Sequence, residues 1–71
     1  MVIDKDTIAI CMATYNGEKF IEEQIDSIIN QTYTNWILFI RDDHSTDRTV
    51  EKIKWYASQY EEKVVLIEDT S

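Results

Sequence analysis

The sequence has no proline, one glycine and one cysteine in 71 residues. Without proline, no rigid linker is written into the chain, and with no repeat or low-complexity tract nothing marks an internal domain boundary. A lone glycine, Gly17, excludes the glycine-rich loops of P-loop and dinucleotide-binding folds. A lone cysteine, Cys11, excludes a disulfide framework and a Cys-x-x-Cys metal site; inside an apolar run it is expected to be a small core residue in a reducing compartment. Long hydrophobic runs are missing as well. The longest, Ile8 to Ala13, is far short of the roughly 20 residues that cross a bilayer. Met1 to Asp6 lacks the basic start and apolar core of a signal peptide, so the expectation is a cytoplasmic chain, with any attachment at the cytoplasmic face of a membrane supplied by another segment. Basic residues are scarce, 7 against 14 acidic for a net charge of -7, the wrong sign for gripping a polyanion. Nucleic acid is therefore not expected as a partner. A nucleotide stays within reach if divalent cations stand between carboxylates and phosphates.

What is present is a regular alternation of elements. A chain this short makes one small domain that buries about 60% of its unfolded surface. Residues 7–14 are apolar on both alternations, as in a strand covered on both faces, and read as the first and central strand. Thr14 to Gly17 breaks the run, with Asn16 a candidate N-cap and Gly17 suited to a tight turn. Ile21, Ile25, Ile28 and Ile29 then recur at helical spacing opposite Glu22, Glu23, Asp26 and Asn30, predicting an amphipathic helix over 17–32. Residues 36–41 form a second apolar strand opened by Trp36. Ser45 or Thr46 is a candidate N-cap for a helix over 46–60, with an apolar stripe of Val50, Ile53, Ala57 and Tyr60. After the turn Glu61-Glu62-Lys63, residues 63–67 make a third strand, and Glu68 to Ser71 close the chain.

Strand, helix, strand, helix, strand implies a parallel α/β sheet, and two crossovers in one direction place both helices on one face. The second face would be bare although its residues are apolar. The chain is thus expected to be part of a larger domain, or to form homo-oligomers through that face or the sheet edge.

Ligands of open α/β sheets sit at the carboxyl ends of the strands, which singles out Asp42-Asp43, where the second strand stops. Adjacent strand residues point to opposite faces, so one aspartate is expected to read a ligand and the other to hold the loop. Tyr15, in the loop after the first strand, is within reach of Asp43 if the strands are neighbours at ~4.8 Å. An aromatic face beside a carboxylate suits a planar base with an imide N–H. The plainer alternative is a packing tyrosine and two helix-capping aspartates. Asp4-Lys5-Asp6 could chelate a cation but lies at the other end of the sheet and reads as a solvated terminus. His44 has no second ligand nearby, and Trp55, Tyr56 and Tyr60 read as packing residues.

Three stretches, Ala13-Thr14-Tyr15-Asn16-Gly17-Glu18-Lys19-Phe20-Ile21, Ser27-Ile28-Ile29-Asn30-Gln31-Thr32-Tyr33 and Asp42-Asp43-His44-Ser45-Thr46-Asp47-Arg48-Thr49, strongly resemble the amino-terminal part of family 2 glycosyltransferases of the GT-A, Rossmann-like fold. The likeness runs from about Ile8 to Ile67. It implies transfer of a sugar, with inversion, from a UDP- or dTDP-sugar donor to a hydroxyl of a saccharide or lipid-linked acceptor, with Mg or Mn on the diphosphate. It implies further that Ala13, Thr14 and Tyr15 line the nucleoside pocket, that Asp43 accepts the N3 proton of the pyrimidine, and that Asp42 supports the loop. Two positions depart from the common pattern, Ala13 for proline and His44 for glycine. The variants around Met12 to Gly17 and Ile40 to Asp43 are most similar to the rhamnosyltransferase-like branch that builds bacterial surface polysaccharides, which points toward a dTDP-sugar. The metal-binding Asp-x-Asp and the catalytic base of such enzymes come later than these residues. The resemblance therefore implies a segment that binds nucleotide weakly and is inactive alone. The competing readings are a noncatalytic interaction module and a phosphoacceptor regulatory domain; the latter would place acidic residues after the first strand, where Thr14-Tyr15 stands.

Overall fold

The computed structural model describes residues 6–67. Three parallel strands alternate with two helices: β1 (Ile8–Thr14), α1 (Ile21–Ile29), β2 (Trp36–Asp42), α2 (Thr49–Gln59) and β3 (Val64–Ile67). The sheet order is β1-β2-β3, so the expectation of a central β1 is corrected: β1 is an edge and β2 is central. Each crossover lays the next strand beside the last on the same side, which leaves the middle strand enclosed. Burial follows the order. Trp36, Ile37, Leu38 and Ile40 of β2 are all buried, whereas Ile8 at the start of β1 is 50% exposed.

The strand alternation sorts side chains into two faces. Ile10 and Met12 of β1, Trp36, Leu38 and Ile40 of β2, and Val64 and Leu66 of β3 meet Ile21 and Ile25 of α1 and Ile53 and Tyr56 of α2 in one core cluster. Registers Ile10↔Leu38, Met12↔Ile40 and Leu38↔Val64 align these residues across the sheet. Burying each aliphatic side chain contributes roughly 1.5–3 kcal/mol, which makes this cluster the main support of so small a domain. The other face carries no described helix. Ala9, Cys11 and Ala13 are exposed there, Phe39 and Val65 are half-buried, and only Ile37 near the amino end is enclosed. Cys11 is thus on the open face, not in the core, because its parity opposes that of Ile10 and Met12.

Both helices start later than the sequence suggests, and α1 stops three residues early. Residues 18–20 form a turn in which the Gly17 carbonyl accepts from the amides of Phe20 and Ile21, at 2.9 and 2.8 Å. At the far end the Gln31 amide turns back to the Ile28 carbonyl, and the chain leaves for β2. The buried stripe of α2 is Thr49, Ile53 and Tyr56, while the expected Tyr60 is 38% exposed. Tyr56 donates to the Asp26 carboxylate at 2.6 Å, pinning α2 to α1. Burial, helped by the Asp26 carboxylate, pushes the Tyr56 phenol well above its ordinary value. Lys63 lies over the Trp36 ring at 4.8 Å and donates to the Thr34 carbonyl, closing the amino end of β2. No helix among the described residues is long and apolar enough to cross a membrane. Asp4 and Lys5, read as a solvated terminus, and Glu68 to Ser71, read as the chain's close, lie outside the described residues.

Candidate functional site

The two strands that carry the candidate residues end together. Thr14 pairs with Asp42 in the last rung of the β1–β2 ladder, and the Asp43 amide donates to the Thr14 carbonyl at 2.8 Å. Tyr15 and Asp43 therefore leave adjacent strands side by side at the carboxyl end of the sheet. Tyr15 is 65% exposed and Asp43 is exposed, so both are presented to solvent. Ala13 is exposed opposite Arg41 on the open face, and Thr14 is buried at 8% on the covered one.

The neighbouring aspartates have different surroundings. Asp42 keeps the parity of Leu38 and Ile40, and its carboxylate accepts from the Thr14 hydroxyl at 2.6 Å, the Ser45 hydroxyl at 2.6 Å and the Ser45 amide at 2.8 Å. Burial opposes its charge, yet these donors, Ser45 first and Thr14 next, outweigh it and hold the carboxyl below its ordinary value. A carboxylate with three donors closes its own loop. Asp43 leaves the ladder one residue later and lies in the open.

The two crossover loops are tied to each other. Asn16, at φ 47°, is in the left-handed region that its short amide side chain tolerates. Its backbone amide donates to the Ser45 hydroxyl at 2.8 Å, and its side-chain oxygen accepts from the Thr46 amide at 2.8 Å. Asn16 is therefore a bridge between loops and not a helix cap, and it, not Gly17, carries the positive φ of this turn. Ser45 and Thr46 do not cap α2 either. Arg48 stands at the N-cap position with no side-chain capping bond, and Asp47 just before it accepts from the Thr49 amide at 2.9 Å and from the Thr49 hydroxyl. The Thr49 hydroxyl, foremost, and the Thr49 and Glu18 amides hold the Asp47 carboxyl below its ordinary value against partial desolvation.

Asn16, Asp47 and Thr49 were not singled out as loop-binding residues from sequence. The available signal was Ser45-x-Asp47-x-Thr49, three oxygen-bearing side chains at every second position just after the strand. His44, the departure from glycine, adopts φ 56°. Elsewhere, an open groove of about 600 Å3 runs along Glu22, Arg48, Glu51, Lys52, Trp55 and Tyr56, away from Tyr15 and Asp43. Of its rim ion pairs, Arg48 with Glu51 at 3.8 Å is solvent-exposed and contributes little, while Lys52 with Glu22 at 3.9 Å joins a half-buried lysine to an exposed glutamate. Among the described residues no group of three or more His, Cys, Asp or Glu side chains is placed to hold a metal ion.

A parallel sheet covered by helices on one face, with polar crossover loops locked together at its carboxyl ends, defines an α/β protein of Rossmann-like architecture. Residues 9–71 match the family model described as Glycosyl transferase family 2. The chain belongs to that family. EpsE of Bacillus subtilis is 40% identical over 62 residues, 87% of this chain and 22% of that protein. The UDP-Glc:alpha-D-GlcNAc-diphosphoundecaprenol beta-1,3-glucosyltransferase WfgD of Escherichia coli is 41% identical over 51 residues, 72% of this chain and 20% of that protein. The dTDP-rhamnosyl transferase RfbG of Shigella flexneri is 49% identical over 49 residues, 69% of this chain and 17% of that protein. The chain thus spans about a fifth of the length of these relatives.

Proposed function

We propose that this chain is the donor-nucleotide-recognising segment of an inverting glycosyltransferase that moves a sugar from a UDP- or dTDP-sugar to a hydroxyl of a saccharide or lipid-linked acceptor in bacterial polysaccharide assembly. The observation that carries this is the 2.8 Å bond from the Asp43 amide to the Thr14 carbonyl, which puts Tyr15 and Asp43 next to each other at the strand ends. In this reading the Tyr15 ring stacks on the pyrimidine and the Asp43 carboxylate accepts its imide N–H, while Ala13 and Thr14 line the pocket and Asp42 holds the loop. The Mg or Mn that would neutralise the diphosphate is held by residues outside this chain, as is the base that activates the acceptor. The segment binds and does not catalyse by itself. Its setting is the cytoplasm, at the membrane face where a lipid-linked acceptor would stand. Calorimetric titration of UDP and dTDP tests the reading. Asp43→Ala is expected to weaken binding by a factor of about ten, one charge-assisted hydrogen bond at an open site; equal affinity would remove Asp43 from the pocket.

The open sheet face supports a second reading, self-association. Half-buried Phe39 and Val65 and the 45% exposed Ile67 form an apolar surface that a second copy of the chain could cover, and β1 offers its free edge. Solution mass across a dilution series decides: a monomer at high concentration would end it.

A further inference from the structure

Three consecutive backbone amides of the first crossover loop are each received by a side chain of the second loop or of the first residue of α2. The Asn16 amide donates to the Ser45 hydroxyl at 2.8 Å, the Gly17 amide to the Thr49 hydroxyl at 2.8 Å, and the Glu18 amide to the Asp47 carboxylate at 3.3 Å. The receiving side chains are themselves fixed. Ser45 donates onward to Asp42 at 2.6 Å, Thr49 donates to Asp47, and Thr49 is fully buried at 0% exposure. Lys52 adds a fourth tie, donating from Nζ to the Glu18 carbonyl at 2.8 Å. The Gly17 and Glu18 amides are partly withdrawn from water, where an unpaired amide is costly, so these ties favour one position of the first loop relative to the second.

Resting on the nucleotide-pocket reading above, we propose that Ser45, Asp47 and Thr49 form a backbone clamp whose task is to fix Tyr15 against Asp43 before the donor arrives. None of the three is assigned contact with the ligand; they are positioning residues. A planar base needs a ring and a carboxylate at a set spacing, and those two groups sit on different loops, one residue from Asn16 and two from Ser45 respectively. Without the clamp the bound geometry would have to be ordered at each binding event, and affinity would fall although every ligand-contacting side chain remained. The Ser45-x-Asp47-x-Thr49 spacing suits this task. The pairing does not follow chain order: the bend at residues 46–48 brings Thr49, the first residue of α2, to the Gly17 amide and leaves Asp47 for the Glu18 amide.

Two measurements on the same variants test the clamp. Thr49→Val keeps the shape of the buried side chain and removes its oxygen, while Thr49→Ser restores the oxygen. Amide hydrogen exchange is expected to show Asn16, Gly17 and Glu18 protected in the unaltered protein, with Gly17 protection lost in Thr49→Val and recovered in Thr49→Ser. UDP affinity, measured well below the melting temperature of each variant, is expected to fall about tenfold in Thr49→Val and to return in Thr49→Ser, one hydrogen bond's worth. Asp47→Asn turns one of the two accepting oxygens into a donor that must face either the Glu18 amide or the Thr49 amide and hydroxyl, and is expected to lose protection at Glu18 and UDP affinity as well. Freely exchanging amides in the unaltered protein would overturn the clamp outright. Lost protection with unchanged UDP affinity would overturn its positioning role while leaving Tyr15 and Asp43 in place. If the unaltered protein binds neither UDP nor dTDP, the pocket reading fails and the positioning role fails with it, whatever the amides show.

Discussion

The two faces of this sheet are nearly alike in sequence and unlike in structure. Ile10, Met12, Leu38, Ile40, Val64 and Leu66 lie under α1 and α2, while Ala9, Cys11, Ala13, Phe39, Val65 and Ile67 look away from them. Apolar residues at consecutive positions state that a strand is suited to cover on both sides; they do not state what supplies it. In this chain both crossovers run on one side, so one face is packed under helices and the other, apart from Ile37 near its amino end, is left partly or fully exposed. The same parity separates the two aspartates. Asp42 continues the covered alternation and is enclosed by Thr14 and Ser45, whereas Asp43 passes the end of the ladder and is exposed.

The strongest way to break this comparison is to truncate one residue on each face of the central strand. Leu38→Ala removes a fully buried side chain, and a cost of about 2–5 kcal/mol is expected, enough to unfold a domain this small at ambient temperature. Phe39→Ala, its neighbour on the half-buried face, should cost clearly less, with a cooperative transition still visible in denaturant. Equal losses would mean that the second face is packed in solution.

The next effect belongs to Asp42. Asp42→Ala leaves the Thr14 and Ser45 hydroxyls without their acceptor, and a loss of about 1–2 kcal/mol is expected at neutral pH. The pH dependence has a definite sign. The native values of Asp42 and Asp47 lie below the ordinary 3.8, so their contribution is complete above that value and is lost as pH falls toward the native ones. Melting temperature should therefore drop as pH falls below the ordinary carboxylate value of 3.8, less steeply in Asp42→Asn. A profile unchanged by that substitution would show that the Asp42 hydrogen bonds do not stabilise the fold.

Much of this was legible beforehand, and the exceptions share a cause. The five elements follow from apolar periodicity, and Tyr15 and Asp43 follow from where the strands stop. The wrong expectations, a central β1 and a core Cys11, required knowing which neighbour covers each face, and that is tertiary information. The helix starts were missed for a related reason. Asn16, Ser45 and Thr46 are good caps in isolation, but the Ser45 hydroxyl accepts from the Asn16 amide 29 residues away and the Asn16 side-chain oxygen accepts from the Thr46 amide 30 residues away. His44, where the resemblance leads one to expect glycine, adopts φ 56°, and that backbone angle explains why glycine would suit the place.

The smallest expected effect sharpens the comparison most. Cys11 sits in the middle of β1 on the open face, opposite Phe39, and is exposed. Cys11→Ser should change stability by no more than about 0.5 kcal/mol, the usual result at a surface position. In the covered face the same hydroxyl would lack partners and cost about 1–3 kcal/mol. A maleimide should label Cys11 of the folded chain at a rate close to that of a free thiol. If the open face is covered by a second copy, labelling should slow as protein concentration rises, and the Cys11→Ser cost should grow with it. If nothing covers it, both stay constant across the series, and the face is open in solution.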